Sequence, residues 1–463
     1  MPMGKRAFEA LKHALGLDRA IAYMVLARCV AILGSTGTVL LIVHFLSPVE
    51  QGYYYTLLSL VSLQAIFEMG FSFVIQQLAA HESVHLNFAP DGSVSGLPEA
   101  HSRLASILHL LVRWYSRAAA GLLLILVPGG WAFFLHRHAS DHVAWQLPWT
   151  LAGTACAASL LLAPFYSFLD GCGQVRQVAS LRLGEAAAAL IAAWCAMISH
   201  KGLYAPFMMI AGQVMVGVVF LWRRRGLFAH LYRHPYGNTR VSWKREVFPF
   251  QWKIAVSWMC AYFTAQAFIP LLFSLRGPVE AGQMGMSLSI TGYMSVLLLA
   301  WISTKATPFG QMIARGDFAG LDRSFFKAFR QSASLLALLA LAAMAFMMAI
   351  QQLYPKLAAR LVSPIAFALL LLTMMSSFSM QSFAIYLRSF KREPFLWLYL
   401  ITAFLSVGLV VLTAHRWGDL GAAASYFLST GVIGLTAAVI LFQRYRRGLS
   451  RTRASLLKAR TVS

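Results

Sequence analysis

The chain is written in long apolar runs broken at short polar points. Read as helices, these runs predict twelve membrane-crossing segments. They fall at residues 21–46, 53–80, 118–136, 147–169, 178–198, 203–222, 254–274, 282–304, 331–350, 363–387, 395–414 and 419–442. A helix rising 1.5 Å per residue needs about 20 apolar residues to cross a hydrocarbon core of about 30 Å, and each run meets that length. Turn residues separate the runs. Pro48 and Gly52 divide the first pair, Arg276-Gly277-Pro278 divides the seventh from the eighth, and Arg392-Glu393-Pro394 opens the eleventh. Residues 81–117 are the longest interruption in the first half. Asn87, Pro90, Asp91, Gly92, Ser93 and Gly96 predict a flexible loop at its start. Leu104, Ile107, Leu108, Leu111 and Val112, with Arg103, Arg113 and Arg117, predict an amphipathic lead-in to the third span. Tyr53, Tyr54, Tyr55, Trp131, Trp145 and Trp149 fall at one membrane boundary and predict an interfacial belt.

Composition sharpens this picture. Of 463 residues, 59% are hydrophobic and 12% charged, against about 25% charged in an ordinary soluble domain. One large soluble globule and a disordered chain are both excluded. The fold class is therefore an all-α membrane protein. The five cysteines (Cys29, Cys156, Cys172, Cys195 and Cys260) stand in no paired spacing. They predict small core residues rather than a disulfide framework or a metal site, and no cofactor is expected.

The net charge of +23 would suggest nucleic acid in a soluble protein. Here no polar stretch is long enough for such a domain, and nucleic acid is not an expected partner. The charge is instead lopsided about the membrane. Alternate connecting segments starting from the N-terminus, with the opening turn of the fifth span counted in, hold 32 Lys and Arg residues, and the other set holds 6. Positive residues accumulate on the cytoplasmic side, so both termini are predicted to be cytoplasmic in a bacterial inner-membrane protein. Lys5, Arg6, Lys12 and Arg19 precede an apolar run too long for a signal-peptide core, which predicts an uncleaved first span.

A pattern recurs halfway along. Pro48-Val49-Glu50-Gln51-Gly52 returns as Pro278-Val279-Glu280-Ala281-Gly282, and Leu58 and Ser59 return as Leu288 and Ser289. Hairpin punctuation accounts for the Pro and Gly, but not for the shared Val-Glu or the matching place in each half. A duplication is predicted, with an N-terminal six-helix bundle over 1–235 and a C-terminal six-helix bundle with a basic tail over 236–463. Both halves start on the same side, so the repeats are parallel. Two such bundles face a shared cavity in alternating access.

Charge inside the apolar runs needs a reason, because it costs about 2.5–3.5 kcal/mol at mid-membrane. Arg28 lies in the first span, Glu68 in the second and Glu185 in the fifth. Lys253 and Lys305 flank the seventh and eighth. Gln64, Glu68, Ser72 and Gln76 make a polar stripe at helical spacing. Lys253, Ser257, Cys260 and Thr264, with Gln266 beside them, repeat it in the second half, and Ser287, Thr291 and Ser295 continue it. Plainer readings stand beside this one. Small hydroxyl residues ease helix packing, the lysines snorkel, and Arg28 with Glu68 forms a structural ion pair. His136, His138, Asp141 and His142 make a polar loop cluster with no assigned chemistry. Basic and amide groups outnumber carboxylates in the spans, which favours an anionic cargo such as a diphosphate.

Three segments carry a family likeness. Phe45-Leu46-Ser47-Pro48-Val49-Glu50-Gln51-Gly52-Tyr53-Tyr54 runs on to Phe67-Glu68-Met69-Gly70-Phe71-Ser72 and to Gln76-Gln77-Leu78-Ala79-Ala80-His81-Glu82. Phe248-Pro249-Phe250-Gln251-Trp252-Lys253-Ile254-Ala255-Val256-Ser257-Trp258 opens the seventh span, and Asp170-Gly171-Cys172-Gly173-Gln174-Val175 links the fourth and fifth. The chain resembles the polysaccharide flippase (O-antigen translocase-like) branch of the multidrug/oligosaccharidyl-lipid/polysaccharide exporter superfamily. The resemblance implies a twelve-span, two-bundle fold. It also implies movement of an undecaprenyl-diphosphate-linked oligosaccharide, an O-antigen or exopolysaccharide repeat unit, to the outer leaflet. Membrane lipids and a glycan polymerase with other assembly proteins are the implied partners. No motif transfers a contact residue, so the candidate sites come from the intramembrane charges. Arg28, Lys253, Lys305, Gln64 and Gln266 are assigned to the diphosphate and cavity, and Glu68 to coupling or an ion pair with Arg28. A cation-coupled small-molecule antiporter of the same superfamily is the alternative. A membrane glycan polymerase or ligase is disfavoured, because the outer loops reach only about a dozen residues and converge no paired carboxylates. No catalytic residue is expected.

Overall fold

The computed structural model describes residues 19–68, 70–89, 93–137, 143–233, 241–243, 266–390 and 395–447, with single positions between 248 and 263. The chain divides into two compact units, Met1–Met259 and Cys260–Ser463. Eight helical stretches among the described residues are long and apolar enough to cross a membrane. The protein is a multi-pass, all-α membrane protein.

In the first unit α1 spans Arg19–Phe45, α2 Pro48–Val61, α3 Gln64–Glu68 and α4 Phe71–Ser83. Then come α5 at Pro98–Arg137, α6 at Gln146–Gly171, α7 at Val175–Ile198, α8 at Ala205–Trp222 and the short α9 at Arg225–Arg233. α7 packs against both α1 and α8, while α6 contacts α4, α5 and α8. Half of the apolar window of α6 is buried, against 28% for α5, α7 and α8, so α6 is the centre of this unit.

The second predicted span is not one helix. It breaks at Ser62 and again at Gly70, whose φ of 64° is a left-handed conformation that L side chains avoid. The break separates the stripe read from spacing. Gln64 accepts from Cys156 of α6 at 3.0 Å, whereas Ser72 meets Tyr115 of α5 at 3.0 Å. The expected flexible loop after α4 begins with a two-stranded antiparallel hairpin, β1 Leu86–Phe88 with β2 Val94–Gly96. The amphipathic lead-in continues unbroken into the third span as the 40-residue α5.

Most of the predicted aromatic belt faces inward. Tyr53, Tyr54, Tyr55, Trp145 and Trp149 are buried, and only Trp131 is exposed. Tyr53 stacks on Phe134 at 5.4 Å, and Trp149 donates to the Val127 carbonyl at 2.9 Å. Aromatic rings that find ring partners and a hydrogen-bond acceptor inside the bundle gain more by burial than by lying among headgroups.

The second unit holds α10 at Phe268–Arg276, α11 at Pro278–Ser303, α12 at Ala306–Ala314, α13 at Phe318–Leu353, α14 at Pro364–Arg388 and α15 at Leu396–Tyr426. A π-helical segment, Phe427–Gly434, follows. α14 is the central helix, with 56% of its apolar window buried. The stretch Leu396–Arg447 counts 52 residues. As one straight helix it would reach about 78 Å, far beyond a bilayer core. Instead it folds back at Gly418 (φ 55°, ψ −130°). Thr413 meets Ser425 at 2.6 Å, and Ser406 bonds Ser429. Partners placed on either side of residue 418 in this way define an antiparallel hairpin, so the stretch makes two crossings.

The duplicated Pro-Val-Glu-x-Gly pattern begins a helix in each unit. In α2, Ser47 and Glu50 form a reciprocal capping box, with Ser47 N donating to Glu50 Oε2 at 2.8 Å. In α11, Gly277 occupies the cap position, and Glu280 instead takes the Arg276 guanidinium at 3.1 Å. Both copies thus place Pro in the first turn and a carboxylate near the positive end of the helix dipole.

Gly418 sits at a demanding backbone position, with φ 55° and ψ −130°. A β-carbon there would lie 2.5 Å from Glu280 Oε2. Gly418→Ala is expected to cost on the order of 1–3 kcal/mol and to lower the unfolding temperature of detergent-solubilised protein, whereas Gly408→Ala, whose β-carbon meets nothing, leaves it within error. Equal thermal transitions for the two variants would refute this account of the hairpin.

Candidate functional site

The strongest candidate is a cavity of about 460 Å³ inside the second unit. Gln266 precedes α10. Ser289, Thr291, Tyr293 and Ser295 come from α11, Ser377 and Gln381 from α14, and Tyr426 from the end of α15. Ile269, Leu288, Val296, Leu370 and Met374 supply apolar walls. The described lining is therefore neutral and polar, with two amides, four aliphatic hydroxyls and two phenols.

Local chemistry explains how these groups tolerate an apolar setting. Thr291 donates to its own helix at Ser287 O, 3.0 Å away, and Ser289 to Gly285 O at 2.8 Å. Each donor is satisfied while its oxygen lone pairs stay open. Ser377 hydrogen bonds Tyr426, whose ring packs on Phe268 at 4.5 Å. The π-helical segment begins immediately after Tyr426. Such widened turns recur at functional sites, because they shift the side-chain register of a helix. Gln381 and Tyr293 are exposed, whereas Thr291 and Ser295 are buried. The cavity therefore has an open polar mouth and a buried hydroxyl floor.

The predicted residues disperse. Of the described candidates, Gln266 alone lines this cavity. Thr291 and Ser295 of the predicted α11 stripe line it too, but Ser287 accepts from Val362 N at 3.2 Å and is structural. Lys305 lies half-buried in the turn after α11. Gln64 is held by Cys156 in the first unit. Glu68 is half-buried near Tyr115 and forms no ion pair with another described residue. The side chain of Arg28 and the whole of Lys253 lie outside the described residues, as do Ser257, Cys260 and Thr264. Sequence reasoning missed Gln381 and Tyr426. Gln381 is the one amide inside its apolar run, a signal of the same kind as Gln266, whereas nothing in the sequence marks the π-helical segment.

Other charged groups have local employment. Glu185 lies 3.9 Å from Arg182, whose guanidinium stands over the Tyr166 ring. Glu82 is buried and takes Arg103 at 2.7 Å. Arg224, in the turn after α8, rests 3.8 Å from the Phe220 ring centroid and donates to Gln177. Burial holds it below the usual arginine range. His136 bonds the Ala132 carbonyl of its own helix, and His138, Asp141 and His142 lie outside the described residues.

No protein-family model and no curated protein sequence matches the chain. Solved structures do. The lipid II flippase MurJ, in an inward closed conformation, aligns with a TM-score of 0.63 at 11% identity, over 91% of this chain and 87% of that one. The MATE multidrug transporter DinF-BH aligns at 0.58 with 14% identity, over 92% and 95%. An inward-facing MATE transporter of the MOP superfamily aligns at 0.54 with 13% identity, over 87% and 94%. The likeness is one of fold, and the all-α architecture is that of these membrane transporters.

Cys172 tests whether the cysteines carry chemistry. It is buried just beyond α6, and burial pushes its thiol from 9.0 up to about 12. At pH 8 the thiolate is then about one part in ten thousand. Maleimide is expected to leave Cys172 unmodified over an hour at pH 8 in folded protein and to modify it on unfolding, as read by peptide mass spectrometry. Rapid labelling of the folded protein would overturn the assignment of Cys172 to the core.

Proposed function

We propose that this chain is a flippase for a lipid-linked oligosaccharide. The cargo is an undecaprenyl-diphosphate-linked repeat unit, carried from the cytoplasmic to the outer leaflet of a bacterial inner membrane by alternating access. The observation that carries this reading is the neutral character of the described residues lining the second unit's cavity. Amides, hydroxyls and phenols at the edge of apolar walls match a sugar, which presents many hydroxyls and no net charge. An organic cation would instead call for a carboxylate or an aromatic cage with one nearby. The lipid II flippase, which shares the fold, handles a lipid-linked cargo by its name.

The residues take the following parts. Gln266 and Gln381 bond sugar hydroxyls through amides that both donate and accept, and the Tyr293 and Tyr426 rings cover apolar sugar faces. Arg28, Lys253 and Lys305 attract the diphosphate, Gln64 adds an amide, and Glu68 serves coupling or pairs with Arg28. The polyprenyl tail stays in lipid, so only the polar head requires a shielded route. No bond is made or broken. The chain works as two six-helix bundles, 1–235 and 236–463, with both termini cytoplasmic, and it hands its cargo to a glycan polymerase and its assembly partners.

The alternative, cation-coupled export of small molecules, predicts a different phenotype. Deleting the gene is expected to trap lipid-linked repeat units in the inner leaflet without changing drug sensitivity. Delivery at wild-type level in a strain with no second flippase would reject the proposal, and altered drug tolerance with intact surface glycan would favour the antiporter. In the same assay Gln266→Ala with Gln381→Ala is expected to lower delivery about tenfold, at roughly 0.5–1.5 kcal/mol per lost hydrogen bond, with unchanged protein abundance. Full delivery by that double variant would remove the cavity from the transport route.

A further inference from the structure

The second unit carries another concavity, of about 940 Å³, lined by Asp322, Arg323, Phe326, Lys327, Arg330, Gln331, Ser334 and Arg446. It uses none of the residues assigned to transport. Its walls come from the start of α13 and from the last described helical turns of the chain. α13 counts 36 residues, about 54 Å and roughly twice a bilayer core. Its opening turns were expected as a loop but form a helix capped by Asp317, which accepts from Gly320 N at 2.8 Å. Leu321, Phe325 and Ala328 are buried against the unit, which turns Arg323, Lys327 and Arg330 outward.

The charge is organised. Asp322, the one carboxylate in the described lining, is already engaged: it takes Arg446 at 2.8 Å and the Tyr386 hydroxyl at 2.6 Å. Arg446 is further steadied by the Phe326 ring, 4.9 Å from its guanidinium carbon. Arg323, Lys327 and Arg330 have no carboxylate partner among the described residues. Four cations against one carboxylate leave a net positive hollow, pre-shaped on one side by a fixed arginine. The same helix face then changes character. Successive steps of three or four residues run from Arg323 through Lys327, Arg330 and Ser334 to Leu338 and Leu341, and the two leucines are 62% and 70% exposed. A stripe that passes from cations through a hydroxyl to bare leucine matches an amphiphile with an anionic head and an acyl tail.

We propose that this groove is a binding site for an anionic phospholipid of the surrounding bilayer. Its phosphate sits among Arg323, Lys327, Arg330 and Arg446, and one acyl chain lies along Leu338 and Leu341. The chemistry is charge-assisted phosphate recognition beside an apolar track. It requires only that the chain span a membrane, and it stands whatever the transported cargo is.

Purified protein would be offered phosphatidylglycerol or phosphatidylcholine in mixed micelles and read by native mass spectrometry. Wild type is expected to retain phosphatidylglycerol preferentially. The triple variant Arg323→Gln, Lys327→Gln, Arg330→Gln is expected to lose on the order of 100-fold in affinity, about fivefold per removed cation. A control triple, Arg223→Gln, Arg225→Gln, Arg233→Gln, removes equal charge from the first unit and is expected to keep the preference. Equal loss in both triples, or none in either, would overturn the site. Displacement of the lipid by millimolar inorganic phosphate would reassign the hollow to free phosphate and overturn the lipid reading. Leu338→Trp gives a readout that needs no charge change: the emission it adds over wild type, which has 12 tryptophans of its own, should be quenched more by brominated phosphatidylglycerol than by brominated phosphatidylcholine, and equal quenching of that difference would also refute the proposal.

Discussion

The structure depends on one constraint: every polar group placed in hydrocarbon must find its partner within the protein. Helices meet it for the backbone. Side chains meet it in a way that repeats through both units. Thr38 donates to Gly34, Thr373 to Leu369, Ser382 to Phe378 and Thr402 to Leu398, each to the carbonyl four residues back. A hydroxyl satisfied on its own helix needs no neighbour, so Ser and Thr can be sown widely through apolar segments. The stripes of small polar residues that look like a transport path are in large part this local bookkeeping. The groups that matter more are those a helix cannot satisfy by itself, namely amides, phenols and charges.

Those groups are sorted by place. In the second unit the amides and phenols gather around one neutral cavity, built from α11, α14 and the join between α15 and the π-helical segment. The cations gather at the start of α13 and near Arg446, beyond the apolar windows. Three carboxylates are tied to arginines, Glu82 to Arg103, Glu280 to Arg276 and Asp322 to Arg446, while Glu50 and Asp317 accept from backbone N–H groups at helix starts. Neutral hydrogen-bonding groups can share a low-dielectric interior at modest cost, whereas a charge is driven toward water or toward an opposite charge. A polar but uncharged cavity with a basic rim elsewhere on the same unit is the outcome of that sorting.

Helix breaks set the geometry. Gly70 ends the second crossing's continuity, and Gly418 reverses the chain between the eleventh and twelfth predicted crossings. Gly70 could have been a packing glycine in a straight helix, since it falls inside a predicted span. At Gly418 the positive φ and the closeness of Glu280 and Arg276 leave no room for a side chain, and the folded-back chain gives Thr413 and Ser406 hydroxyl partners at Ser425 and Ser429. The aromatic residues near Trp149 show the same dependence on context. Their amphipathic character suits a headgroup belt, yet ring partners were available inside, and burial won.

The sequence by itself determined the class of the protein, the rough placement of its long apolar helices, and the helix starts at Pro48 and Pro278. Those features follow from hydrophobic length and from turn chemistry, which act over a few residues and leave their mark locally. Only the tertiary structure decided which polar residues share a cavity. Gln266 was legible as an amide in an apolar run, but its company of Thr291, Ser377, Gln381 and Tyr426 comes from three separate helices. Helical period places a residue on a face, while the neighbour that face meets is chosen by packing between distant segments, and no local pattern records that choice.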